Sequence, residues 1–216
     1  VMMADAFGII RDEAERTGTP LPYEETDIAQ ALGQWESRNF HEPFSVGDLS
    51  IEMLDSGHVL GGAMMKISRG GRSLLFSGDI GNAPEPLLND PESPIGAHYL
   101  VMESVYGDRV HEGREERKQK LRSMLEATKE KGGTLLIPSF SLQRTQLLLS
   151  EINDLVEREG MTSIPVYLDS PLATRVTEIF RAHTDALNVA TRAKLADPAA
   201  DSPEISTKRA ARFKAT

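Results

Sequence analysis

The stretch LDSGHVLGGAMMKISRGGRSLLFSGDIGN, residues 54–82, decides how the first half of the chain is read. Inside it, AMMKISR (63–69) and RSLLFSGD (72–79) read as strands. The Gly70-Gly71 pair between them suits the positive backbone angles of a two-residue hairpin turn. LSIEMLDS (49–56) reads as a strand before them and HYLVMES (98–104) as one after. The last is apolar almost throughout, the pattern of a strand buried on both faces. Polar residues stand at or just past the strand ends: His58, Asp79 and, in LVMESVYGD, Glu103. Gly57, Gly61, Gly78 and Gly81 flank them and let the backbone turn sharply or come close to a bound ion. One imidazole with carboxylates is a donor set that suits zinc or manganese. Each residue also has a plainer reading: a solvated loop histidine, an aspartate that shapes a turn, a glutamate in a surface salt bridge. Spacing alone leaves both open.

Upstream, residues 2–16 and 23–38 read as helices, the second with Ile28, Ala31, Leu32 and Trp35 at helical spacing. Downstream the rhythm changes to helix and strand in turn. A helix over 114–131 carries Leu121, Met124, Leu125 and Thr128 on one face and stops at Gly132-Gly133. TLLIPSF (134–140) and PVYLDS (165–170) read as strands, separated by a helix over 142–158, with a further helix starting near Pro171. That order predicts parallel strands joined by crossover helices. The reading is therefore α/β, with a mixed-sheet domain over 1–108 and an α/β domain over 109–216, its tail from 197 rich in Pro, Ala and Ser.

Composition narrows the function classes. The 216 residues are 39% hydrophobic and 26% charged, ordinary for a globular protein. No apolar run reaches the roughly 18 residues of a membrane helix. The amino end lacks a basic segment and is acidic by Asp12 and Glu13, which is not the pattern of a secretory signal. With no cysteine there are no disulfides or thiolate ligands, in keeping with a reducing, cytoplasmic compartment. A net charge of −9 disfavours a broad nucleic-acid face, though bound metal could offset it locally.

Five blocks in order, LDSGHVLGGAM, LLFSGDIGN, LVMESVYGDRVH, GGTLLIPSFSLQRTQLLL and IPVYLDSPLATRVTEIF, resemble the β-CASP family of metallo-β-lactamase-fold RNA nucleases over about residues 46–188. The resemblance implies a partial metallo-β-lactamase αββα sandwich followed by a partial, Rossmann-like β-CASP domain. It makes His58 a single metal-ligating histidine and Asp79 an aspartate bridging two zinc ions, with manganese the alternative metal. Glu103 becomes an acidic residue beside the metals that orients a downstream histidine involved in proton transfer. Ser139, Ser141 and Arg144 fall in a segment facing the substrate cleft, where hydroxyls and a guanidinium suit phosphates. The implied partner is single-stranded RNA, cleaved endonucleolytically or from the 5′ end, with a homodimeric parent and no membrane. The wording favours the RNA-processing branch over the DNA-repair one.

The family's main HxHxDH motif is absent here, and its two later histidine motifs would lie past Thr216. The chain is accordingly expected to be an internal fragment with part of the metal site, inactive alone. The RAHTD string at 181–185 looks like a family motif, but its place inside a helix makes His183 an ordinary helix residue. His41, His98 and His111 read as structural or solvated. A non-catalytic scaffold subunit and a small-molecule hydrolase on the same fold are the rival functions. Joint retention of His58, Asp79 and Glu103 argues against the first, and the PSFSLQRTQ and YLDSPLA blocks against the second.

Overall fold

The computed structural model describes residues 1–110 and 113–196. Its centre is one sheet of five strands in sequence order: β1 Phe44–Val46, β2 Leu49–Asp55, β3 Ala63–Arg69, β4 Arg72–Phe76 and β5 Tyr99–Val101. The first four run antiparallel and β5 lies parallel to β4. The expected Gly70-Gly71 hairpin forms, with Arg69 opposite Arg72 and both glycines at positive φ. An unforeseen hairpin precedes it: Val46 pairs with Leu49 across Gly47-Asp48, with Gly47 supplying the positive φ that a two-residue turn needs. Met64 and Leu75, on facing strands, are almost wholly buried.

Helix α1 (Met2–Thr17) ends at Gly18 in the left-handed conformation, and its Phe7 ring lies 5.7 Å from Tyr23. Helix α2 spans Glu25–Gly33, not 23–38. Only Ile28 of its apolar stripe is buried, and Trp35, 69% exposed, lies past the end: with nothing to pack against, its helical spacing does not extend the helix.

Helices α3 (Arg114–Glu130), α4 (Arg144–Glu157) and α5 (Pro171–Ala182) match the reading, and α6 (Val189–Ala196) follows a short 3-10 turn. Leu125 of α3 meets Ile152 and Leu155 of α4 and Met161 in one core, where each fully buried leucine contributes about 1.5–3 kcal/mol. Met124 points outward, so the buried face of α3 is narrower than expected. Ser170 caps α5, its hydroxyl accepting from the Ala173 amide at 3.1 Å, with Pro171 opening the helix.

The α/β mixture stands, but three strand expectations are corrected. β5 covers only 99–101, and Tyr99, Leu100 and Val101 are about half exposed because it is an edge strand. Residues 134–140 and 165–170 join no ladder among the described residues; Leu136 and Phe140 are more than four-fifths exposed. An apolar run states a preference for extended backbone, but a strand exists only when a neighbour takes its hydrogen bonds. Among the described residues no helix is long and apolar enough to cross a membrane.

Candidate metal centre

Two loops leave the sheet side by side. The first follows β2: the Ser56 amide donates to the Gly62 carbonyl at 3.1 Å, closing a turn that carries His58. The second follows β4 and carries Asp79. They are joined through backbone, the Gly81 amide donating to the Ser56 carbonyl at 2.8 Å. A β-carbon on Gly81 would stand 2.1 Å from the Gly57 carbonyl oxygen, so only glycine permits this approach.

The interlock brings His58 Nε2 to 3.8 Å from Asp79 Oδ2. The imidazole is one-third exposed and the carboxylate 73% exposed, so both can be reached from solvent. The span is slightly above the roughly 3.3 Å between two donors on one tetrahedral ion with bonds of about 2.0–2.1 Å, so the pair fits an ion with a small closure. Among the described residues no group of three His, Asp or Glu side chains gathers around a common point, so His58 and Asp79 are a partial donor set.

Glu103 belongs to the same construction. Its Oε1 accepts the Ile80 amide at 2.6 Å, and its own amide donates to the Ser77 hydroxyl at 3.1 Å. Glu103 thus grips the loop on either side of Asp79.

The three residues expected to face substrate lie around the start of α4. Ser139 and Arg144 are exposed, and the Ser141 hydroxyl is 3.3 Å from that of Ser170 at the start of α5. Leu60 of the His58 turn and Leu142 of the Ser141–Arg144 segment pack against one cluster of Leu87, Leu88, Val176, Phe180 and Leu187. Two parts of the chain separated by eighty residues are thereby held to common ground.

Several supporting residues had no motif to announce them. Gln143 precedes α4 at positive φ (63°), is buried, and donates to Glu85 Oε1 at 3.2 Å. Gln146 ties α4 to α5 through Thr177 Oγ1 at 3.0 Å. Asn188 donates to the Glu85 and Leu88 carbonyls and fixes the segment beneath the cluster. Burial raises the Glu85 carboxyl above its ordinary pKa, opposed by the Leu87 amide, the Gln143 side chain and the charges of Arg144 and Arg114. A pair of glutamines around Arg in SLQRTQ was the visible signal, legible only once their burial is known.

The remaining histidines are spoken for differently. His98 Nδ1 accepts the Ser73 amide at 3.2 Å, His41 Nε2 lies 3.1 Å from Glu92, and His183 ends α5 as its C-cap. His111 lies outside the described residues.

Residues 145–214 match the Beta-Casp domain. The chain is 35% identical over 154 residues to ribonuclease TTHA0252 of Thermus thermophilus, covering 71% of this chain and 35% of that protein. The matched residues belong to the β-CASP family. The chain is also 31% identical to endoribonuclease YSH1 of Eremothecium gossypii, over 81% of this chain and 23% of that protein. Cleavage and polyadenylation specificity factor 73 of Drosophila melanogaster is 32% identical over 90% of this chain and 28% of its own length. The chain thus spans about a third or less of the length of these relatives. Nucleases of the metallo-β-lactamase type are metal-dependent, in keeping with the donor chemistry of His58 and Asp79.

Proposed function

We propose that this chain forms part of a zinc-dependent ribonuclease that hydrolyses phosphodiester bonds in single-stranded RNA. One observation carries the reading: in a chain whose relatives are named ribonucleases, interlocked loops hold His58 Nε2 and Asp79 Oδ2 3.8 Å apart at an accessible surface.

His58 and Asp79 are assigned as ligands, with Asp79 shared between two zinc ions and manganese the alternative metal. Metal bound there supplies positive charge to the scissile phosphate and lowers the pKa of water toward neutrality. The protein's own residues do the rest. Glu103 fixes the Asp79 loop through Ile80, and through a histidine implied by the family resemblance it supports proton transfer. Ser139, Ser141 and Arg144 hold backbone phosphates beside the start of α4 through their hydroxyls and guanidinium. Residues 1–108 and 109–216 are read as parts of the metallo-β-lactamase and β-CASP domains, with the RNA strand between them. A cytoplasmic location is carried over on the cysteine-free composition and a homodimer on resemblance alone, and light scattering of the gene product tests the second.

The test is cleavage of end-labelled single-stranded RNA by the whole gene product that carries this sequence, before and after chelation. Cleavage lost with chelator and restored by zinc or manganese supports the proposal. Tight RNA binding without cleavage under any metal points instead to a scaffold.

A further inference from the structure

We propose that Asp55 is a positioning residue for the metal centre, acting on His58 through the backbone of Gly57. The inference rests on the metal reading of His58 and Asp79. Asp55, the last residue of β2, is partly buried and its carboxylate is committed on both oxygens. Oδ1 accepts the Gly57 amide at 2.8 Å and Oδ2 accepts the Asn89 side-chain amide at 3.3 Å. The Asp55 backbone is held as firmly: its amide donates to Glu92 Oε1 at 2.8 Å, and its carbonyl accepts the Glu92 amide at 3.0 Å. Glu92 is held in turn by His41 Nε2 at 3.1 Å.

Residues 89–92 therefore form a floor under the His58 turn. Gly57 lies directly on it at positive φ; a β-carbon there would come 2.7 Å from the Pro91 nitrogen and 2.8 Å from the Asn89 carbonyl oxygen. With the floor below and Gly81 at the side, the Asp55 to Gly57 bond, alongside the Ser56 to Gly62 bond that closes the turn, sets the direction in which the chain enters His58. Glu103 does the same for Asp79 from the other loop. The two ligands are thus aimed by two carboxylates, neither of which is placed on the metal. Fixing a metal-bound histidine from behind commonly changes metal affinity by about 10–100-fold.

The experiment uses the whole gene product with Asp55→Ala, Asp55→Asn and Asn89→Ala, and two readouts. Zinc affinity is measured by competition with a chromophoric chelator. Order of the His58 ring and exchange of the Gly57 amide are measured by NMR in metal-free protein labelled at histidine and glycine. Asp55→Ala is expected to free the His58 ring, speed Gly57 exchange and weaken zinc by about ten-fold or more. Asp55→Asn keeps an acceptor for the Gly57 amide and should stay within about three-fold of the parent. Should Asp55→Ala fail to fold, Asn89→Ala, which removes only the partner of Oδ2, is expected to shift both readouts in the same direction. Unchanged ring order and zinc affinity in the folded variants overturn the proposal, as does an Asn variant as impaired as the Ala variant. A parent that binds no zinc, with a His58 ring still freed by Asp55→Ala, refutes the metal reading and leaves Asp55 as the positioning residue.

Discussion

Replacing Gly81 by alanine isolates the interlock between the two ligand loops. The new β-carbon would sit 2.1 Å from the Gly57 carbonyl oxygen, 2.4 Å from its carbon and 3.0 Å from the His58 nitrogen. Each obstacle is backbone, so no side chain can swing away. Contacts below 3.0 Å are essentially never found, so the loops must part by about 0.9 Å. The Gly81 to Ser56 hydrogen bond, 2.8 Å long, stretches or breaks, at a cost of about 1 kcal/mol, and the overpacking adds about 1–3 kcal/mol. Function should fall further than stability. Metal–ligand distances tolerate only about 0.2 Å, and a misplacement near 1 Å can cost about 100-fold in rate. Thermal unfolding, zinc titration and RNA cleavage on the purified gene product should therefore show a modest fall in melting temperature and a loss of turnover approaching 100-fold. Gly8→Ala, in open space on α1, is the control and should leave both functions intact. Turnover and zinc affinity within two-fold of the parent in Gly81→Ala would refute the claim that the loop contact sets the site.

Three further outcomes are expected. Glu103→Ala should loosen the Asp79 loop and weaken zinc, while Glu103→Gln, which still accepts the Ile80 amide, should keep zinc and lose turnover; equal zinc loss in both would make Glu103 a ligand. Arg144→Ala should weaken RNA binding by about 1–3 kcal/mol and flatten its salt dependence, with sequence preference unchanged, as read by binding titrations at several salt concentrations. Because burial raises the Glu85 pKa above the ordinary 4.5, the folded state holds that proton more tightly than the unfolded chain. Its contribution is most favourable below the ordinary value and is lost as pH rises through the raised one. Glu85→Gln, which keeps an acceptor for Gln143, should raise the melting temperature at pH 7 and leave it unchanged near pH 4; a lower value at pH 7 would contradict this.

What could be read from sequence was what neighbours in the chain determine. The Gly70-Gly71 hairpin, the glycine stop after α3 and the start of α5 at Pro171 are local physics, and they formed. Residues 134–140 and 165–170 were read as strands from apolar character alone, which cannot say whether another strand lies beside them; none does among the described residues. The site divides the same way. His58 and Asp79 stood out by chemistry and flanking glycines, and they meet. Asn89 and Glu92 hold Asp55 through hydrogen bonds that span more than thirty positions, which leave no periodic or compositional trace. Glu103 was visible as an acidic residue at a strand end, but its hold on Ile80 was not.

The most direct test is zinc content and single-stranded RNA cleavage of the whole gene product beside its His58→Ala and Asp79→Ala variants, each first shown to be folded. His58 and Asp79 lie on loops outside the core, so both variants should fold, lose metal and lose cleavage, with Asp79→Ala the more damaged because it is assigned to both ions. Full zinc content and full cleavage in Asp79→Ala would contradict the metal assignment outright.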